Sequence, residues 1–156
     1  MATTTSSVLQ ERIAKDLEVA FRAKETTRVE TLRLLAAALH NKEIEKRGKG
    51  KDAVLSEEEV MEVIAKEVKK RKEAAALYVQ GGRKDLADKE ESELRVLEIY
   101  LPAQMGETEI QKVVQNVVAR MQGEKNFGKL MGEAMKELKG KADATKVSVL
   151  LKAELQ

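Results

Sequence analysis

The chain has 156 residues, 42% hydrophobic and 36% charged, with 3% aromatics and a formal net charge of +2. That length allows one or two small domains, and the near balance of charge argues neither for nor against a nucleic-acid partner. The absence of cysteine excludes disulfides, thiolate metal ligands and thiol nucleophiles.

Met1 to Ser7 contains no apolar stretch of the kind a secretory signal needs, and no apolar run reaches the roughly 18 residues that span a bilayer. A cytoplasmic protein without a membrane segment is the expectation. Beyond Ser7 the spacing is helical throughout. Ser7 with Gln10 has the form of a capping box, in which a hydroxyl accepts a free backbone N–H and the later side chain reaches back. Leu9, Ile13, Leu17 and Phe21 then step by four. Thr27 with Glu30 opens a second helix, striped by Val29, Leu32, Leu35, Ala36 and Leu39 and ended near Gly48. Gly48 to Val54 reads as a basic surface loop. Ser56 with Glu59, stapled by Leu55 and Val60, opens a long third helix carrying Val60, Ile64, Val68, Ala75 and Tyr78 and stopped by Gly81-Gly82. Leu86, Leu94, Leu97 and Leu101 outline a fourth.

Pro102, the only proline, blocks continuation of that helix and restricts the residue before it. A domain boundary is placed there, giving a four-helix domain over 1–101 and a three-helix domain over 102–156. In the second, Met105 and Ile110 flank Gly106 as a staple; Val113, Val114, Val117 and Met121 mark a fifth helix. Leu130, Met131, Ala134, Met135 and Leu138 mark a sixth, and Val147, Leu150 and Leu151 a seventh. No period-2 alternation is long enough for a strand, so the fold class is all-α. Residues 1–101 carry 20 Lys+Arg and 20 Asp+Glu, so the whole excess of +2 falls in the smaller domain.

Chemistry-bearing constellations are sparse. His40 is the sole histidine and has no triad partner or second ligand. Glu57, Glu58, Glu59 and Glu62 crowd the start of the third helix, where carboxylates complement the dipole. No phosphate-binding loop, dinucleotide fingerprint or EF-hand is present. No catalytic residue, cofactor or metal is assigned. Two basic runs in the first domain, Lys42 to Lys51 and Lys66 to Lys72, read as solvated faces laced by pairs such as Glu67–Arg71, with phosphate contact as the alternative.

The segment Asn126 to Gly132 is more specific. Gly128 and Gly132 lie on one helix face, and each costs ~1 kcal/mol of helix propensity relative to alanine. Helix-on-helix packing would offset that cost; so would close approach of a ligand backbone such as RNA. Downstream, Gly140 can end the sixth helix and Asp143 can cap the seventh, with Lys139 and Lys141 flanking the turn and Lys129 and Lys146 in reach of it. Four aromatics, largely in apolar stripes, are too few to stack single-stranded bases, so shape and backbone contacts on a structured RNA are the mode expected.

Ile99-Tyr-Leu-Pro-Ala-Gln104, Phe127-Gly-Lys-Leu-Met-Gly132 and Lys139-Gly-Lys-Ala-Asp143 resemble the GatB/YqeY family, as do Thr31-Leu-Arg-Leu-Leu35, Val68-Lys-Lys-Arg-Lys72 and Arg83-Lys-Asp-Leu-Ala87 upstream. Gly106, Phe127 and Ala144 depart from the residues common at those positions. The resemblance implies two helical domains, the second similar to the C-terminal tail of the B subunit of the Asp/Glu-tRNA amidotransferase, which touches tRNA while another domain performs the chemistry. That chemical domain has no counterpart here. The expectation is a non-catalytic tRNA- or RNA-binding accessory protein using Lys129, Lys139, Lys141, Lys146, Gly128, Gly132 and Gly140. The alternatives are a module docking on an amidotransferase or synthetase, and a carbon–nitrogen ligase with glutamine as amido-N donor, for which the sequence offers no site.

Overall fold

The computed structural model describes residues 6–156. The Met1 to Ser7 segment considered for a signal thus lies, up to residue 5, outside the described residues. Seven helices run in order: α1 (Val8–Arg22), α2 (Thr26–Gly48), α3 (Glu57–Gln80), α4 (Lys84–Glu98), α5 (Glu107–Arg120), α6 (Phe127–Leu138) and α7 (Ala144–Glu154). Among the described residues there is no strand, so the protein is all-α. The chain divides into two compact units, Met1–Leu101 and Pro102–Gln156.

In the first unit α3 packs along α4, and α1 and α2 pack on each other and on that pair. Ile13, Leu32, Leu35, Leu39, Leu55, Val60, Ile64, Val68, Leu97 and Tyr100 form its core. The expected stripes supply most of this set, but Tyr78 and Leu86 stay half-buried outside it and two further residues are exposed. Phe21 is 62% exposed, because Ala20 takes the buried position at that end of α1 and Arg33 lies over the Phe21 ring instead. Ala36 is also exposed. In the second unit α5 packs on α6 and α7, and α6 on α7. Ile110, Val114, Val117, Leu130, Ala134, Leu138, Val147 and Leu151 are its core, with Met105, Phe127, Met131 and Met135 packed against it.

The helix starts follow their capping chemistry in part. Ser7 Oγ accepts the Gln10 N–H at 3.0 Å, while the Gln10 amide donates to Glu43 at 2.7 Å. Ser56 and Glu59 close a full box, and the same Glu59 carboxylate receives Lys46 at 2.8 Å. Thr27 does not cap α2. The helix already begins at Thr26, after a turn in which Lys24 takes a left-handed φ of 59° and the Glu25 N–H donates to the Ala20 carbonyl.

One cation is enclosed. Arg71 has an 8% exposed side chain, donating to Glu67 on its own helix at 2.9 Å and to Glu93 on α4 at 3.2 Å. Burial pushes the Glu67 carboxyl up, but hydrogen bonds from Arg71 and Lys70 outweigh it and hold the group below its ordinary value. A carboxyl with a lowered folded value adds stability above its unfolded value and loses it as pH falls through the folded one. Arg71→Ala strands two half-buried carboxylates. It is expected to destabilise the first unit by about 3–5 kcal/mol at neutral pH in chemical denaturation, with a smaller difference in acid once Glu67 is protonated. A pH-independent loss, or none, would contradict this account.

Candidate nucleic-acid interface

The residues singled out in the second unit are arranged by α6, its two ends and the turn into α7. Asn126 caps α6 by accepting the Lys129 N–H at 3.1 Å. At the far end Gly140 adopts φ +77°, which a side chain disfavours, and the Lys141 and Ala142 N–H groups close back on the Leu138 carbonyl at 2.9 and 3.0 Å. Asp143 then caps α7 by accepting the Thr145 N–H at 2.7 Å. These local bonds put Lys139, Lys141 and Lys146 on the turn and the first turn of α7, all exposed. Lys129 stands near the other end of α6, a helix of 12 residues and so about 18 Å long.

The site is thus a strip with unequal ends. Lys129 sits 3.3 Å from Glu124, whose carboxyl is lowered first by the Asn126 N–H and then by Lys129. Lys136, which sequence reasoning passed over, extends the exposed face of α6 and pairs with Glu133 at 2.8 Å. Arg120 on α5 reaches Glu137 at 3.1 Å and Glu133 at 3.9 Å. The hydrogen bond and charge of Lys136, together with Arg120, hold the Glu133 carboxyl low. Lys141 and Lys146, by contrast, have no ion pair among the described residues. Within the strip, Lys141 in the α6–α7 turn and Lys146 in the first turn of α7 are therefore the cations that no carboxylate among the described residues pairs with.

Gly128 and Gly132 lie between these ends, both exposed. A Cβ built on Gly132 would meet nothing within 4 Å, and one on Gly128 only the Asn126 side chain at 3.2 Å. Helix-on-helix packing within the unit, the first explanation for the pair, is thereby removed for Gly132. The basic runs of the first unit go the other way. Lys46 is held by Glu59 and the Val54 carbonyl, Arg71 is enclosed, and Lys42, Lys49, Lys70 and Lys72 each face a carboxylate. His40 is exposed beside Glu43. Among the described residues no group of three or more acidic or histidine side chains is placed to hold a metal ion, and no helix is long and apolar enough to cross a membrane.

An all-helical chain whose second unit presents an exposed glycine face ending in a lysine-bearing turn matches one known family along almost its full length. Residues 10–155 fit the family described as Yqey-like protein, and the chain belongs to it. Among curated relatives, "Altered inheritance of mitochondria protein 41, mitochondrial" of Kluyveromyces lactis is 32% identical over 88% of this chain and 77% of its own length. The protein of the same name from Pyrenophora tritici-repentis is 28% identical over 89% of this chain and 76% of its own length. The one from Lachancea thermotolerans is 31% identical over 83% and 68%. These names overturn the cytoplasmic expectation. That expectation looked for an apolar secretory stretch, whereas mitochondrial targeting uses amphipathic, Arg-rich and acid-poor segments that such a search does not detect.

Two substitutions test the geometry. Gly132→Ala is expected to raise stability by about 1 kcal/mol, because the methyl meets open space and helix propensity improves. Gly140→Ala is expected to lower it by about 1–2 kcal/mol, because φ +77° is left-handed. Thermal or urea unfolding of the two variants decides; a destabilising Gly132→Ala would mean the face is not open.

Proposed function

We infer that the Pro102–Gln156 unit binds a structured RNA, with tRNA as the first candidate, and that the protein acts as an accessory factor without catalysing a reaction. The observation that carries this reading is Gly132: a helix-interior glycine on an exposed face with nothing within 4 Å of its absent side chain. Its propensity cost has no internal compensation, and close approach of an external backbone supplies one. Two features support the same reading. Lys141 and Lys146 offer cations without ion-pair partners among the described residues, suited to phosphate. Phe127 is packed on the core with Lys152 over its ring, so base stacking on it is not the mode and recognition by shape is. The mitochondrial names of the relatives make organellar tRNAs the first pool to try.

A second reading rests on α2. Between Arg33 and Lys42 it runs through eight residues without an Asp, Glu, Lys or Arg, and Leu34 and Ile44 are 53% and 51% exposed beside exposed Ala36 and Ala37. An uncharged helix face of this kind suits a protein partner, an amidotransferase or synthetase among them.

Filter binding with bulk tRNA at two salt concentrations tests the first reading. Affinity is expected to fall steeply with salt, and the double reversal Lys139→Glu with Lys141→Glu to flatten the salt slope by about 1 for each phosphate no longer neutralised. Gly132→Ala should weaken binding while stabilising the fold, opposite signs that a structural role does not produce. Absence of tRNA binding even at low salt, with capture of a protein through α2, would favour the second reading.

A further inference from the structure

Ile99 to Gln104 is a motif to which neither reading assigns a task, and its two ends do different things. Tyr100 is 5% exposed in the first core, and its O–H donates to Asp16 at 2.6 Å. Gln104 acts on the second unit. Its Nε2 donates to the Gly140 carbonyl at 3.0 Å and to the Pro102 carbonyl at 3.3 Å. The next backbone N–H, that of Met105, donates to the Lys141 carbonyl at 2.8 Å. Two successive residues thus hold two successive carbonyls of the α6–α7 turn.

The turn has a particular need of these bonds. Its own N–H groups at Lys141 and Ala142 close back on Leu138, which satisfies donors but leaves the carbonyls of Gly140 and Lys141 pointing to other partners. Gly140 has no side chain to limit the turn, and its left-handed φ is a conformation that glycine enters and leaves at little cost. Without outside contacts, the backbone carrying Lys139 and Lys141 on either side of Gly140 would lose the bonds on its carbonyl side and keep those to Leu138. The Met105 bond alone fixes one carbonyl. The Gln104 bond fixes the glycine itself, from a residue 36 positions away in sequence.

We propose that Gln104 is a positioning residue: with the Met105 N–H it clamps the Gly140–Lys141 backbone so that Lys139 and Lys141 meet RNA phosphates from a preset turn. The inference rests on the RNA reading above and gives that site a part outside its own helices. A preset turn loses less conformational freedom on binding, so the clamp acts on affinity without touching the ligand. Gln104 is exposed, so removing its amide leaves no buried group unsatisfied beyond the carbonyls it served.

The full chain carrying Gln104→Met, which keeps length and removes both donors, is compared with the parent by NMR, tRNA filter binding at low salt and thermal unfolding. Displaced amide resonances over residues 139–143 are expected, with a loss of tRNA affinity of about two- to tenfold, the change commanded by one net hydrogen bond, and a thermal midpoint close to the parent's. Gln104→Glu supplies the rescue. Above the ordinary Glu value of about 4.3 its carboxylate opposes a carbonyl, acceptor against acceptor; once protonated it donates an O–H to Gly140. Acidification should therefore return the turn's resonances towards the parent's in Gln104→Glu and leave those of Gln104→Met displaced. A parent chain that binds tRNA while Gln104→Met keeps both its affinity and its resonances overturns the clamp. Displaced resonances with unchanged affinity overturn the positioning role. A parent chain that binds no tRNA overturns the RNA reading itself, and the positioning role with it.

Discussion

Between Tyr100 and Met105 the chain must finish one helical core and begin another, and both units depend on how those six residues satisfy their polar groups. Tyr100 brings a ring into the first core, where its hydroxyl needs an acceptor. Asp16 supplies it from α1, with Arg12 over the ring and Arg28 4.0 Å from the same carboxylate. Burial first, and then the Asp16 hydrogen bond, push the phenol well above its ordinary value, so it stays a donor at any physiological pH. Pro102 has no N–H to place, and Leu101 before it is kept from continuing α4. Gln104 and Met105 then meet the second unit's turn. The boundary proline is therefore flanked on each side by an anchor.

Electrostatics divide the two units more sharply than net charge does. In the first, 20 basic and 20 acidic residues balance, and Lys42, Lys46, Lys49, Lys70, Arg71 and Lys72 of its basic runs are drawn into pairs. Arg71 is the extreme case, enclosed between Glu67 and Glu93 where its five donors and planar shape suit two carboxylates at once. In the second unit the ion pairs lie along the middle and N-terminal end of α6, while Lys141 in the following turn and Lys146 in α7 have none among the described residues, nor do Lys112, Lys125 and Lys152. Neutralisation is thus uneven along α6, and for a phosphate contact the local placement of cations matters more than the surplus of +2.

Much of the fold was legible because helix punctuation is local. Ser7, Ser56–Glu59 and Asp143 act within three residues of themselves, and the glycines at 82, 123 and 140 take the left-handed φ that ends a helix or turn. Where the reading slipped, tertiary context decided. Phe21 has the right period for the core, yet Ala20 fills the site and the ring lies under Arg33. Thr27 has the right chemistry for a cap, yet the α1–α2 turn brings Glu25 to that place and starts α2 two residues earlier. In the candidate interface, the residue types and the turn were visible from spacing. The Gln104–Gly140 bond was not, since no local rule links positions so far apart. Nor was the openness around Gly132, which depends on what α5 and α7 leave uncovered.

That openness changes what the glycine pair means. In a helix, glycine is compensated when something comes closer than a side chain would allow, and inside this unit nothing does at Gly132. Alanine there would give a more stable helix at no steric cost, so the glycine is a departure from the best local choice. Departures of that kind are expected at functional sites, where a local rule is broken for a gain made elsewhere. The face they open lies between Lys129 and the Lys139–Lys146 turn, and the turn is held by a residue from the domain boundary. A purely structural account explains Gly140 by its φ and Asp143 by its cap. It also accounts for the Gln104 amide, which satisfies the Gly140 carbonyl, but it leaves the openness around Gly132 without a reason. On the proposed RNA reading, a phosphate backbone lying along the open face would offset the cost of that glycine, with Lys141 and Lys146 placed to meet it.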